Sequence, residues 1–270
     1  NGSEILGGKV TAHNINFTSN ASIDMDAAKL TAKNHINLMS AGYKKIGTNT
    51  YGISIEGVSS GAEIGKQDSD DYKYLMLTNP SVLTAANGIN IEASGVDKNS
   101  KTSIGASKLN AGNGAINIKS LGGLDLLHDS NELYSYRFTS GSHGNFIKKT
   151  KWTKSEEKRD VFVVPTELTA KNINVLSGED INTYASRFNA AKGDIHLTAG
   201  TSLGLYAVDE IHLDKTHEEK STKYVGVFKN KGSNSRSNFA QTPLPTKLIA
   251  QKVKTESGWD TILEGTSFAT

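Results

Sequence analysis

The sequence predicts an all-β chain, a right-handed parallel β-helix (β-solenoid) carrying extended β-hairpin excursions. Three features predict it. A short phrase recurs along the chain with a period of about twenty residues, apolar and polar residues alternate within it at period two, and Pro followed by Ser or Thr punctuates it at long intervals. A period near twenty is too short for a pair of helices and suits one coil of stacked strands. One coil cannot bury its own inner face, so a closed core requires neighbouring coils to stack.

The phrase opens at Val10 (VTAHNINFTS), Leu30 (LTAKNHINLMSA), Leu83 (LTAANGINIEASG), Leu109 (LNAGNGAINIKS), Leu168 (LTAKNINVLSG), Phe188 (FNAAKGDIHLTA) and Leu248 (LIAQKVKTESG). Its shared form is an apolar residue, Thr or Asn, and Ala, then a few turn residues and apolar–x–apolar. Between 195 and 213, Ile195, Leu197, Ala199, Leu203, Leu205, Ala207, Ile211 and Leu213 all hold odd positions. That parity predicts strands with one buried and one solvated face. Right-handedness is the expectation for parallel crossovers in general.

A longer period overlies the short one. Pro80, Pro165 and Pro245 stand 85 and 80 residues apart, each just before a strand phrase. Proline has a fixed φ and no N–H, which suits the start of a strand and marks re-entry to the coil. The segments before re-entry, 39–82, 128–167 and 214–247, are the predicted excursions from a single solenoid spanning 1–270. Strand-like runs inside them (YGISIEG from 51, YKYLML from 72, LYSYRF from 133, DVFVV from 160, KYVGVFKN from 223) predict hairpins that leave the coil and return.

Composition agrees. The chain has 26 Gly, and Asn-Gly and Lys-Gly pairs supply the positive φ that tight turns between strands need. A net charge of +2 gives no global attraction for nucleic acid. No apolar run approaches the roughly 18 residues of a membrane helix. The opening NGSEILGG has neither a basic nor an apolar signal region, so the expectation is an excised fragment whose targeting signals lie elsewhere. Cysteine is absent, which excludes thiolate chemistry and fits an exported protein stabilised by stacking alone.

Catalytic and metal-binding patterns are missing from the sequence. Asp68, Asp70 and Asp71 cluster in QDSDDYK without the spacing of a calcium loop. Asp194, Glu210 and Asp214 lie near coil edges without a motif, and GVSSG (57–61) lacks the strand–turn–helix context of a nucleophile elbow. The seven His show no ligand spacing, and His196 and His212 fall at outward parity. The expectation is no enzyme, no metal and no cofactor. A carbohydrate-active β-helix would need carboxylates gathered on one sheet face. The one conspicuous surface is IKKTKWTKSEEKR (147–159), with six basic and two acidic residues. Lys148, Lys149, Lys151, Trp152 and Lys154 form its candidate membrane or polyanion surface. The competing reading is a solvated hairpin whose lysines guard a strand edge.

The coil phrases, the Lys/Ser/Thr-rich excursion with an aromatic centre and the re-entry phrase VPTELTA together resemble haemagglutinin repeats of two-partner-secretion exoproteins, the filamentous haemagglutinin and CdiA group. The resemblance spans nearly the whole chain, with a lysine-heavier excursion than usual and a poor match over 39–82. It implies a non-enzymatic segment of a large secreted bacterial surface protein, exported through an outer-membrane transporter. In contact-dependent growth inhibition effectors such a segment supports delivery of a C-terminal toxin across the target-cell outer membrane. In a filamentous haemagglutinin it forms an adhesin shaft attaching to host or bacterial cells.

Overall fold

A computed structural model describes residues 3–41, 44–47, 49–51, 71–94, 100–144, 146–224 and 228–270. Those residues are all-β, and most of the strands pair in parallel around one apolar core in a solenoid-like arrangement. Each coil contributes up to three faces. The first-face strands are Ser3–Leu6, Ile23–Asp26, Lys44–Gly47, Thr102–Gly105, Leu124–Leu127, Ile181–Tyr184, Leu203–Tyr206 and Thr261–Glu264, paired in chain order. At ~4.8 Å between neighbours, the stack measures about 34 Å from first to last strand.

The recurring phrase forms the second and third faces. In strand register, Val10 lies beside Leu30, then Leu83, Leu109, Leu168, Phe188, Leu248 and Phe268. From Leu30 to Leu248 these side chains are buried. On the third face, Ile15, Ile36, Ile89, Ile116, Ile173, Ile195 and Val253 form a parallel column. Burying each such side chain contributes about 2 kcal/mol, against the chain entropy of ordering its coil. Outside the same face, Asn37, Asn90, Asn117 and Asn174 each donate from Nδ2 to the Oδ1 of the asparagine one coil earlier, at 2.7–2.8 Å. This ladder starts at Asn16 and faces solvent, so it fixes stacking register more than it adds stability.

The corner between the first and second faces explains the long period. Where the chain turns it directly, a residue with positive φ makes the bend: Gly7 (58°), Ala27 (48°), Ala106 (40°), Ala185 (50°) and Gly265 (62°). In the three coils between these, the single residue is replaced by a hairpin and a proline. Hairpins therefore leave from every second coil, always at the same corner. Asn49–Tyr51 and Asp71–Asn79 belong to hairpin I, Asp129–Gly144 and Lys148–Val164 to hairpin II, and Val208–Tyr224 and Lys229–Leu244 to hairpin III.

After the proline comes Ser81, Thr166 or Thr246, each buried, in the column that also holds Ala28, Ser107 and Ser186. The Thr166 hydroxyl reaches the carbonyls of Leu127 (2.7 Å) and Ile104 (3.0 Å), and that of Thr246 donates to Tyr206 O at 2.8 Å. Proline thus sits in the corner, one or two residues before the strand, and the hydroxyl after it bonds the carbonyls that the turn leaves open.

Stacking matches hairpin width to coil spacing. Two coils rise ~9.6 Å, which is also the width of two hydrogen-bonded strands. Successive hairpins therefore meet edge to edge and form one six-stranded antiparallel sheet. Hairpin II pairs with hairpin III over fourteen residues of each strand, from Lys148 opposite Tyr224 to Val161 opposite Ile211.

The excursion limits differ from those drawn on the sequence. Met39 and Ser40 finish a third-face strand, and Lys44–Gly47 is a first-face strand, so hairpin I starts at Asn49 rather than 39. Hairpin II spans 129–164 rather than 128–167, and hairpin III begins at Val208, not 214. Apolar residues hold odd positions again at Ala207, Ile211 and Leu213, yet Ile211 and Leu213 lie half-buried on one face of the hairpin sheet and outside the core. Alternation cannot distinguish these two destinations. In KYVGVFKN the two strands of hairpin III end opposite one another, with Tyr224 N donating to Phe228 O at 2.9 Å, and 225–227 lie outside the described residues. Except for Tyr51, YGISIEG also lies outside them.

Candidate functional site

Strand alternation divides the sequence-predicted surface. Lys148, Trp152 and Lys154 point to one face of the hairpin sheet, and Lys149 and Lys151 to the other. On the first face these side chains have partners. The Lys154 ammonium lies 2.6 Å from Glu156 and 3.8 Å from Glu218, and its pKa is raised, chiefly by the hydrogen bond to Glu156. Lys148 Nζ stands 5.5 Å from the centre of the Tyr224 ring. Trp152 lies across Gly141, where a Cβ would meet its indole at 2.7 Å. The tryptophan is thus packed on its cross-strand neighbour, with the side chain 37% exposed.

The second face gathers a cluster that the sequence leaves scattered. Lys149 is opposite Lys223, which is opposite Lys229. One row nearer the coil, Lys151 is opposite Ser221, which is opposite Lys231. Directly opposed residues of an antiparallel pair share a face. Five ammonium groups therefore crowd one face near the tips of hairpins II and III. None of the five has an ion-pair partner among the described residues. Lys231 and Lys223 hold the Lys229 ammonium below its ordinary pKa by charge repulsion, Lys231 acting most strongly. The nearest acid of the same strands on this face, Glu219, is 3.5 Å from His217. A shallow cleft of about 360 Å³ opens beside the cluster, lined by Lys151, Trp152, Lys220 and Lys231 among others.

Large apolar side chains cap these tips. Phe146 is 93% exposed, Phe228 76% and Ile147 64%. Because Lys148 is opposite Tyr224, the two tips end level with one another. Below them the sheet is laced with ion pairs: Arg159–Glu132 at 2.7 Å, Lys215–Glu157 at 3.5 Å and Arg137–Asp71 at 3.5 Å.

The carboxylates considered from sequence stay apart. Asp194 belongs to the coil, whereas Glu210 and Asp214 belong to hairpin III, where Glu210 accepts a hydrogen bond from Val163 N at 3.1 Å. Asp71 pairs with Arg137, while Asp68, Asp70 and GVSSG lie outside the described residues. His196 stands on the third face beside Asn174, and His212 bonds Asp160 in the hairpin sheet. Among the described residues no group of three or more His, Cys, Asp or Glu could hold a metal, and no helix is long and apolar enough to cross a membrane. The chain matches no family model, no curated protein and no solved structure.

The sequence signal for the missed lysines was KSTKY (220–224) followed by KNKG (229–232). Only the pairing of hairpins II and III shows that these belong with 147–159.

Proposed function

We propose that this chain is a non-enzymatic structural segment of a large secreted bacterial surface protein, built as a right-handed parallel β-helix. The parent protein is a contact-dependent growth inhibition effector of the two-partner-secretion class. In it the segment supports delivery of a C-terminal toxin across the target-cell outer membrane. An outer-membrane transporter exports the parent, and the partner of the exposed sheet is the target-cell surface.

The observation that carries this reading is the emission of a hairpin from every second coil and the merging of the hairpins into one lateral sheet. A simple shaft has no need of a second sheet tens of ångströms long, tipped with uncompensated lysines and bare aromatic rings. A surface-engaging element does. The coil supplies spacing and rigidity, because each repeat contacts only its neighbours and the array holds a fixed direction.

Deleting the segment in frame from a toxin-bearing parent tests the reading. The expected result is unchanged export and cell attachment with loss of toxin entry. Loss of attachment with toxin entry retained in the bound cells would replace it with the adhesin-shaft reading.

A further inference from the structure

The middle and the ends of the hairpin sheet have opposite character. Along the strands of hairpin II, one face carries Lys154, Glu156, Lys158 and Asp160, and the other carries Glu157 and Arg159. Neither face offers the continuous apolar band that a spanning strand presents to lipid. The sheet is also open. Among the described residues the outer side of Lys229–Leu244 pairs with no further strand, and an unpaired edge is not tolerated in hydrocarbon. The sheet as a whole is therefore unsuited to crossing a bilayer.

The tips have another composition. Phe146, Ile147, Tyr224 and Phe228 project at the level ends of two adjacent hairpins, and Phe146 is the most exposed large apolar side chain described. Within two rows behind them stand Lys149, Lys151, Lys223, Lys229 and Lys231 on one face. Aromatic and aliphatic groups in front of a lysine collar match the two layers of an anionic lipid surface. The rings enter the acyl boundary, ~5–10 Å deep, and the ammonium groups remain at the phosphates. A soluble polyanion would complement the collar but leave the apolar tips without a role.

We propose that hairpins II and III dock tip-first on an anionic phospholipid bilayer, inserting Phe146, Ile147, Tyr224 and Phe228 shallowly while the five lysines contact lipid phosphates, and that the sheet does not span the membrane. The inference rests on the reading of the hairpin sheet as the surface-engaging element. It can fail alone, because its test needs neither toxin nor target cell.

The 270-residue chain is sedimented with vesicles of phosphatidylcholine alone or of phosphatidylcholine mixed with phosphatidylglycerol. Binding to the anionic vesicles is expected, with little to the neutral ones. Changing the five lysines together to glutamine is expected to weaken it roughly 100-fold or more, since each lysine near such a surface contributes several-fold. F146S/F228S is expected to weaken binding about tenfold and to make the remainder fully salt-labile. Both variants alter exposed groups, and an unchanged circular dichroism melt confirms that each is folded. With Trp152 and Trp259 changed to Phe, a Phe228→Trp reporter is expected to be quenched by lipids brominated near the headgroup end of the acyl chain. Three results would each overturn the proposal: unchanged binding by the glutamine variant, quenching only by lipids brominated at the bilayer centre, or polyphosphate competing fully while F146S/F228S binds vesicles like the parent. The last would make the cluster a soluble-polyanion site.

Discussion

Replacing Thr166 by valine keeps the side-chain shape and removes one hydroxyl at the corner where hairpin II rejoins the coil. Thr166 is fully buried, and its Oγ1 lies 2.7 Å from Leu127 O and 3.0 Å from Ile104 O. The hydroxyl has one proton, so it donates to one carbonyl at a time and the losses do not add. Leu127 O also accepts from Ala106 N at 3.0 Å, so that carbonyl keeps a partner. The cost is then one net hydrogen bond, about 1 kcal/mol, plus part of the penalty for a carbonyl facing a methyl group, for a total of about 1–3 kcal/mol. Because coils are coupled through their neighbours, the loss is expected to lower the whole urea transition. Thr169→Val, on an exposed position three residues on, is the control. A Thr166→Val shift no larger than that of the control would refute the idea that the hydroxyl after the proline closes the corner.

Other consequences follow from the same geometry. Ala185 turns its corner at φ 50° and is buried, so Ala185→Val is expected to cost about 2 kcal/mol or more, with Ala185→Gly near neutral in chemical denaturation. Gly141→Val is expected to push Trp152 off its cross-strand seat, seen as a shift in tryptophan emission in a Trp259→Phe background. Burial lowers the pKa of His128 despite the opposing charge of Asp129, so the folded state binds its proton less readily than the unfolded chain. Stability should therefore be insensitive to this group above the unfolded pKa of about 6.5 and fall as pH drops below it. His128→Gln should flatten that slope in melts run across this range.

The fold was legible where the sequence repeats itself. Val10, Leu30, Leu83, Leu109, Leu168, Phe188 and Leu248 are neighbours in space because each opens the same phrase, and stacking converts repetition into register. The re-entry marks were legible for a similar reason, although the buried hydroxyl matters there as much as the proline. The alternation of corners was hidden, since Ala27, Ala106 and Ala185 turn at positive φ without the glycine that normally marks such a bend. Three of the five clustered lysines, Lys223, Lys229 and Lys231, were hidden as well. Lys149 and Lys223 are distant in sequence and meet only because adjacent hairpins are one strand pair wide. Charge density within a single window also hid the division of faces, since the pleat turns Trp152 and Lys154 away from Lys149 and Lys151 and toward partners of their own.

The pairing of hairpins from alternate coils underlies the lateral sheet, the lysine cluster and the level tips, and it can be measured directly. Thr150 and Thr222 are opposed across hairpins II and III with their hydroxyl oxygens 3.2 Å apart, and the chain has no cysteine to interfere. Opposed Cβ atoms ~4.5–5.5 Å apart lie close enough for a disulfide to form with a small adjustment. Under mild oxidation T150C/T222C is expected to close an intramolecular disulfide, detected as resistance to alkylation and as a linked peptide in mass spectrometry. T150C/K220C, two residues out of register, is expected to remain reduced. A free T150C/T222C pair, or equal linkage in both variants, would contradict the account.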